Sequence, residues 1–97
     1  MLNKLKTIML QHKGQANAIT STELAKLLGI KENATHANTR QLVLKCAKEC
    51  MLPIASTRKG YFIIETKDEC KAYLDNLNKR AQKIQERKDI IMINFMD

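Results

Sequence analysis

Apolar residues in the first segment of the chain recur every three or four positions. This spacing predicts an amphipathic helix over residues 3 to about 13, which Asn3 can cap and Gly14 can end. Its apolar face would consist of Leu2, Leu5, Ile8 or Met9, and His12. The stretch GQANAI after it is typical of a loop, with room for a short strand at residues 18–20.

The next segment, TSTELAKLLGI, contains the signals of a short helix. Thr20 followed by Glu23 three residues later is a capping box, and Gly29 is placed to end the helix in a left-handed conformation. The predicted buried stripe is Leu24, Ala25, Leu27 and Leu28. The helix would have about two turns.

A longer helix is predicted over residues 34–50, after the connection KEN, and Pro53 ends it. Its apolar face would be formed by Val43, Leu44, Ala47, Cys50 and Met51. The first half carries mostly hydrogen-bonding side chains of short or medium length, where a surface helix more often carries Glu and Lys. That half is therefore a candidate contact surface.

Two short extended runs follow, PIAST and YFIIE, joined by Arg58, Lys59 and Gly60. Gly60 can supply the positive φ that a tight hairpin needs. We expect Tyr61 and Ile63 to hold the hairpin against the core, which leaves the two cations at its tip.

The last segment opens with a second capping box, Thr66 to Glu69, and predicts a helix to about Lys88. Apolar residues at alternating spacings of four and three form a heptad seam: Cys70, Leu74, Leu77, Ala81, Ile84, Lys88 and Ile91. The apolar tail IIMINFMD is too short to span a membrane and must pack on another surface. The helix either pairs with a second chain, mainly through Leu74, Leu77, Ala81, Ile84 and Ile91, or folds back over the first helix.

Positive charge is concentrated in the first two thirds of the 97-residue chain. The net charge is +7, and residues 1–30, 31–65 and 66–97 carry +3, +3 and +1. An excess of this kind attracts a polyanion such as nucleic acid, although solubility alone also accounts for it.

Several other classes of protein lack support in the sequence. No secretory signal and no 18-residue apolar run is present, and three cysteines without framework spacing suit a reducing cytosol. Cys46 and Cys50 form one loose pair, which is typical of buried thiols rather than of zinc ligands. No nucleophile elbow, P-loop or paired carboxylates appear, so we expect a cytoplasmic non-enzyme without a metal or other cofactor.

The order of these elements resembles the winged helix-turn-helix fold. The resemblance covers about residues 3–65 and rests on AITSTELAKLLGI, TRQLVLKCAKECMLPI and STRKGYFII. A capped helix directly after the wing is similar to short prophage-encoded winged-helix proteins of Gram-positive bacteria. The fold implied is α+β, mostly α: a winged helix-turn-helix domain of three helices and a two-stranded wing at residues 1–65, and a C-terminal amphipathic helix at residues 66–97.

One spacing departs from the usual pattern of the family. About four or five residues usually separate the turn glycine from the threonine of the recognition helix, whereas nine lie between Gly29 and Thr39. Either the recognition helix begins a turn earlier, near Ala34, or the turn carries an insertion. In the second case Thr35, His36 and Asn38 would lie in a loop.

The resemblance implies double-stranded DNA binding by a transcriptional regulator of bacterial or phage type. The short chain, the apolar tail and the heptad seam favour a homodimer paired through the last helix. The third helix would enter the major groove, with Arg40 suited to a guanine edge and Asn38 to an adenine edge. The other candidates for base contact are Thr35, His36 and Thr39. Phosphates would be bound by Lys45 and Lys48, by Arg58 and Lys59 of the wing, and by Ser21 and Thr22 at the start of the second helix.

Two other functions remain open on the sequence. Some winged helices bind protein, so the domain could be an interaction module. It could also be an architectural DNA-binding protein, such as a recombination directionality factor, that bends DNA with modest specificity.

Overall fold

The computed structural model describes residues 1–31 and 36–96, and over these residues the protein is mostly helical with one small sheet. The helices are α1 (Leu2–Met9), α2 (Ser21–Leu28), α3 (Ala37–Glu49) and α4 (Lys67–Met96), with a 3₁₀ helix at Gln15–Asn17. The strands β1 (Ile54–Thr57) and β2 (Gly60–Ile63) pair antiparallel. The expected α+β, mostly helical class is confirmed. The chain divides into two compact units, Met1–Thr66 and Lys67–Asp97.

The core of the first unit joins its three helices to β2. Its buried members are Leu5, Met9, Ile19, Leu24, Leu28, Val43, Cys46, Tyr61 and Ile63. Burial of apolar surface at about 25 cal/mol per Å² is the main stabilising term for such a cluster. Tyr61 and Ile63 hold the hairpin against this core, as the sequence predicts.

Helix α1 is shorter than its periodicity predicts, because the chain beyond it pairs with β2. The helix ends at Met9, and the His12 carbonyl accepts a hydrogen bond of 2.9 Å from the Ile63 N–H. Gly14 N–H donates to the Ile63 carbonyl over 2.9 Å, so a helix extended to residue 13 would forfeit both bonds. The predicted cap is also wrong: Met1 occupies the N-cap position and Asn3 lies inside the helix.

The predicted strand near residue 19 exists as an isolated antiparallel bridge to β2. Ile19 and Tyr61 exchange both backbone hydrogen bonds, at 2.8 and 2.7 Å. β2 therefore has backbone partners on both of its edges, β1 on one and residues 12–19 on the other. This double pairing fixes the hairpin relative to α1 and α2.

Helix α2 begins and ends as its sequence signals predict. The Thr20 hydroxyl accepts a 3.2 Å hydrogen bond from the Glu23 N–H, and Gly29 ends the helix at φ 70°. One member of the predicted stripe is wrong. Leu27 is half exposed, because it faces away from the side that Leu24 and Leu28 bury.

Helix α3 buries only part of the predicted face. Val43 is buried and Ala47 and Cys50 are half-buried as predicted, whereas Leu44 and Met51 are 57% and 87% exposed. The other buried residues of the helix are Thr39 and Cys46. The helix begins at Ala37, and His36 immediately before it adopts a left-handed conformation (φ 55°). The predicted start near Ala34 lies outside the described residues. Asn38 lies in the first turn of α3 rather than in a loop.

Helix α4 is a continuous helix of 30 residues, from Lys67 to Met96. It extends beyond Lys88, where the sequence pattern predicts its end, and includes the apolar tail as far as Met96. None of its described residues is buried. The seam residues Leu74, Leu77, Ile84 and Ile91 are between 37% and 61% exposed.

Candidate nucleic-acid interface

The outer face of α3 is mostly polar and carries positive charge. Asn38, Arg40, Lys45 and Lys48 are all exposed. Between Ala37 and Lys48 the helix carries three cations and no carboxylate. A face with this composition matches a phosphate backbone and the edges of bases, which together present many acceptors.

One predicted base contact is excluded by burial. Thr39 is 0% exposed, so its side chain belongs to the core and cannot reach a base edge. Thr39 points inward because it lies on the same side of α3 as Val43 and Cys46, and this side packs against the core. Thr35 lies outside the described residues.

Two further residues on the outer face are not among the contacts that the sequence predicts. Gln41 is exposed one position after Arg40, and its amide is suited to an adenine edge. Leu44, one turn beyond Arg40, is exposed and offers methyl groups of the kind that contact a thymine methyl. The sequence predicts Leu44 in the core because it is apolar, but the rotation of α3 places it on the outer face.

The N-terminal ends of α2 and α3 lie side by side. Ser21 Oγ is 3.2 Å from His36 Nδ1, which joins the first residue of α2 to the residue before α3. His36 also begins α3, since its carbonyl accepts a 3.1 Å hydrogen bond from the Arg40 N–H. The first N–H groups of a helix have no acceptor within the helix and favour an anion. Ser21, Thr22 and His36, separate in the sequence, therefore belong to one surface.

The β1–β2 hairpin presents two cations at a two-residue tip. Thr57 pairs with Gly60, which leaves Arg58 and Lys59 as the loop, and both are exposed. The Lys59 N–H donates to Thr57 Oγ1 over 3.2 Å, and that hydroxyl donates to the Gly60 carbonyl over 3.3 Å. These bonds hold the tip in a defined shape rather than leaving the cations on a loose loop.

A polar cleft lies between the β1–β2 hairpin and the start of α2. Its volume is about 210 Å³, and its lining includes Thr20, Ser21, Thr57 and Arg58. Ser21 therefore lines this cleft and also contacts His36. The starts of α2 and α3 and the hairpin are thus neighbours on the first unit.

Over residues 1–31 and 36–96, no group of three or more His, Cys, Asp or Glu side chains is placed to share a metal ion. Cys46 is buried and Cys50 half-buried. In the same part of the chain, no helix combines the length and the apolar character that crossing a membrane requires.

Comparison with known proteins adds no further constraint. No protein-family model, no curated protein and no solved structure matches the chain. The function is therefore inferred from the residues and their geometry.

Proposed function

We propose that this protein is a winged helix-turn-helix protein that binds double-stranded DNA site-specifically and acts as a homodimeric transcriptional regulator. The observation that carries the proposal is the proximity of three elements on the first unit. Ser21 at the start of α2 contacts His36, the residue before α3, and lines a cleft with Thr57 and Arg58 of the wing. The exposed candidate residues of α3 and the wing include five cations and no carboxylate: Arg40, Lys45, Lys48, Arg58 and Lys59.

Helix α3 is the element that reads sequence in this proposal. Its exposed face offers Asn38, Arg40 and Gln41 within one turn, side chains that form paired hydrogen bonds with adenine and guanine edges in the major groove. Lys45 and Lys48 follow one and two turns later. There they bind phosphates and set how deeply the helix lies in the major groove.

The wing and α2 position the domain on the backbone. Arg58 and Lys59 bind phosphates or enter the minor groove, and the first N–H groups of α2 bind a phosphate beside Ser21 and Thr22. These contacts add affinity on every sequence. Specificity then comes from α3, and loss of the wing cations leaves the preferred site unchanged.

The experiment that tests the proposal is selection of the full-length protein against a random duplex library at near-physiological salt, with sequencing after each round. An enriched inverted repeat with centres about one helical turn apart supports a dimeric site-specific regulator. The matched control is the Arg40→Ala variant taken through the same rounds, which should enrich a less defined motif.

Two results would contradict the proposal in different ways. Retained DNA with no enriched motif would favour an architectural DNA-binding protein, because specific sites lose about 1–3 kcal/mol per mismatched base pair and architectural sites do not. If no duplex is retained even at low salt, DNA binding is wrong, and the surface serves a protein partner instead.

A further inference from the structure

Helix α4 carries a seam that the structure lengthens by one position. The heptad pattern from Cys70 to Ile91 continues at Phe95, because the helix runs to Met96 instead of ending near Lys88. Phe95 is 84% exposed, and the seam now covers 26 residues, about 39 Å at 1.5 Å per residue. A seam of this length leaves far more apolar surface in contact with water than is usual for a helix without a partner.

We propose that α4 pairs with α4 of a second copy of this chain in antiparallel orientation, with Cys70 opposite the partner's Phe95. The pairing rests on the dimer of the proposed function, but it requires no DNA and can be tested without it. In this register Leu74 faces the partner's Ile91, and Ala81 faces the partner's Ile84. The interface repeats itself about a two-fold axis, as closed homodimers require.

The reason for this register is the match of side-chain volumes across the seam. Small Cys70 and Ala81 each meet a large residue, Phe95 and Ile84 of the partner, which fills each layer to the same depth. Lys88 meets the partner's Leu77, so its charged end can leave the seam toward water along an apolar neighbour.

A parallel, in-register pair fits the same seam less well. It would place Ala81 on Ala81, which leaves a gap, and Phe95 on Phe95, which crowds the layer. It would also place two Lys88 side chains in one layer with like charges opposed. The antiparallel register avoids all three.

The area of the seam suits a weak dimer. Half the circumference of a helix about 10 Å across, over about 39 Å, offers on the order of 600 Å² per helix. Two helices then bury about 1,200 Å², which is the lower limit of stable interfaces. We therefore expect a dimer that dissociates on dilution through the micromolar range.

The flanking positions make the dimer sensitive to salt. Arg80 lies beside the partner's Arg87 in the antiparallel register, and the two-fold axis repeats the contact. Like charges at such exposed positions repel weakly and are screened by salt. Added salt should therefore strengthen the dimer.

Disulfide trapping tests the register, because the proposal sets Cys70 near the partner's residue 95 and about 37 Å from the partner's Cys70 along the helix axis. The Phe95→Cys variant should form a disulfide-linked dimer under mild oxidation, whereas the Phe95→Cys/Cys70→Ala variant should not. A Cys70-dependent dimer in the unsubstituted protein would indicate parallel pairing and overturn the proposal.

A matched pair of isoleucines tests the seam itself. Ile84 and Ile93 are 59% and 60% exposed on the same helix, but Ile93 lies away from the seam. Ile84→Gln should weaken self-association at least tenfold in sedimentation equilibrium, and Ile93→Gln should leave it unchanged. A protein that stays monomeric up to about 100 µM, or equal effects of the two changes, would overturn the proposal whatever the protein does on DNA.

Discussion

Met51 holds a backbone conformation that its side chain disfavours. Its φ is 57°, it lies just beyond Cys50, the residue that caps the C-terminus of α3, and it is 87% exposed. The Leu52 N–H donates to the Ala47 carbonyl over 3.1 Å, the bond that closes a helix with a left-handed residue after its last turn. Glycine usually occupies this position, since a Cβ there costs about 1–2 kcal/mol.

The Met51→Gly change should therefore stabilise the protein by about 1 kcal/mol, since it relieves the strain and removes little packing. Urea denaturation measures the free energy of unfolding. Met51→Ala is the matched control, because it shortens the side chain but keeps the Cβ, and it should leave stability nearly unchanged. If alanine stabilises as much as glycine, the exposed methionine and not its conformation is the cause.

Cys46 gives the stability a dependence on pH in the alkaline range. Burial raises the pKa of its thiol to about 11 from an ordinary 9.0, and the hydrogen bond with Cys50 acts in the same direction. The neutral thiol is the form that the fold stabilises. This contribution is complete below pH 9.0 and is lost as the pH rises to about 11.

Comparison of the unsubstituted protein with Cys46→Ala isolates this effect from the titration of Lys and Tyr. At pH 7.5 the change should destabilise, because it leaves a cavity in the core. By pH 10.5 that cost should shrink by on the order of 1–2 kcal/mol, measured by urea denaturation at both pH values. A cost independent of pH would show that the thiol is not held in its neutral form.

At the scale of elements, the sequence predicts that helix α3 exists but does not predict which of its faces is buried. The existence of the helix, the hairpin after it and the capped α2 follow from local signals such as Thr20, Gly29 and Gly60. The rotation of α3 does not, because Leu42, Val43 and Leu44 are consecutive and their spacing fits more than one face. Packing against α1 and α2 decides the face, buries the polar Thr39 and exposes Leu44.

The same helix explains why the candidate site was predicted only in part. Arg40, Asn38 and the wing cations are recognisable from residue type, and all are exposed. Gln41 and Leu44 could be assigned to the outer face only after the rotation was known. The proximity of Ser21 to His36 depends on tertiary contacts across 15 residues, which no local pattern encodes.

The separate roles proposed for α3 and the β1–β2 hairpin can be tested with two protein variants. Their affinities are measured on the selected duplex and on duplexes that differ from it by one base pair. Arg40→Ala should lower the preference for one base pair by about 1–3 kcal/mol, because a paired contact with a base edge is lost. Arg58→Ala with Lys59→Ala should weaken binding to all duplexes about equally and reduce the salt slope by about 2 per bound chain.

Lys26→Ala is the control for charge alone, since Lys26 is exposed near the opposite end of α2 from Ser21. It should change the affinity little. If the wing variant alters base preference while Arg40→Ala does not, the assignment of the two elements is reversed.

At the scale of the whole molecule, salt should act in opposite directions on the two units. Residues 1–65 carry +6 of the net charge, in contrast to +1 on residues 66–97. Four phosphate contacts per chain, from Lys45, Lys48, Arg58 and Lys59, predict a slope of about −3.6 for log affinity against log salt on a duplex with a single half-site. A threefold rise in KCl should therefore weaken the binding of one chain to that duplex about 50-fold.

Self-association through α4 should strengthen over the same range, by about twofold to fivefold, as the two contacts between Arg80 and the partner's Arg87 are screened. Fluorescence anisotropy with a labelled duplex measures the first effect, and sedimentation equilibrium without DNA measures the second. Replacement of Arg80 by Gln should remove the salt dependence of the dimer and leave the DNA slope unchanged. If both equilibria weaken with salt, α4 associates through opposite charges, and the antiparallel register is wrong while the DNA-binding surface stands.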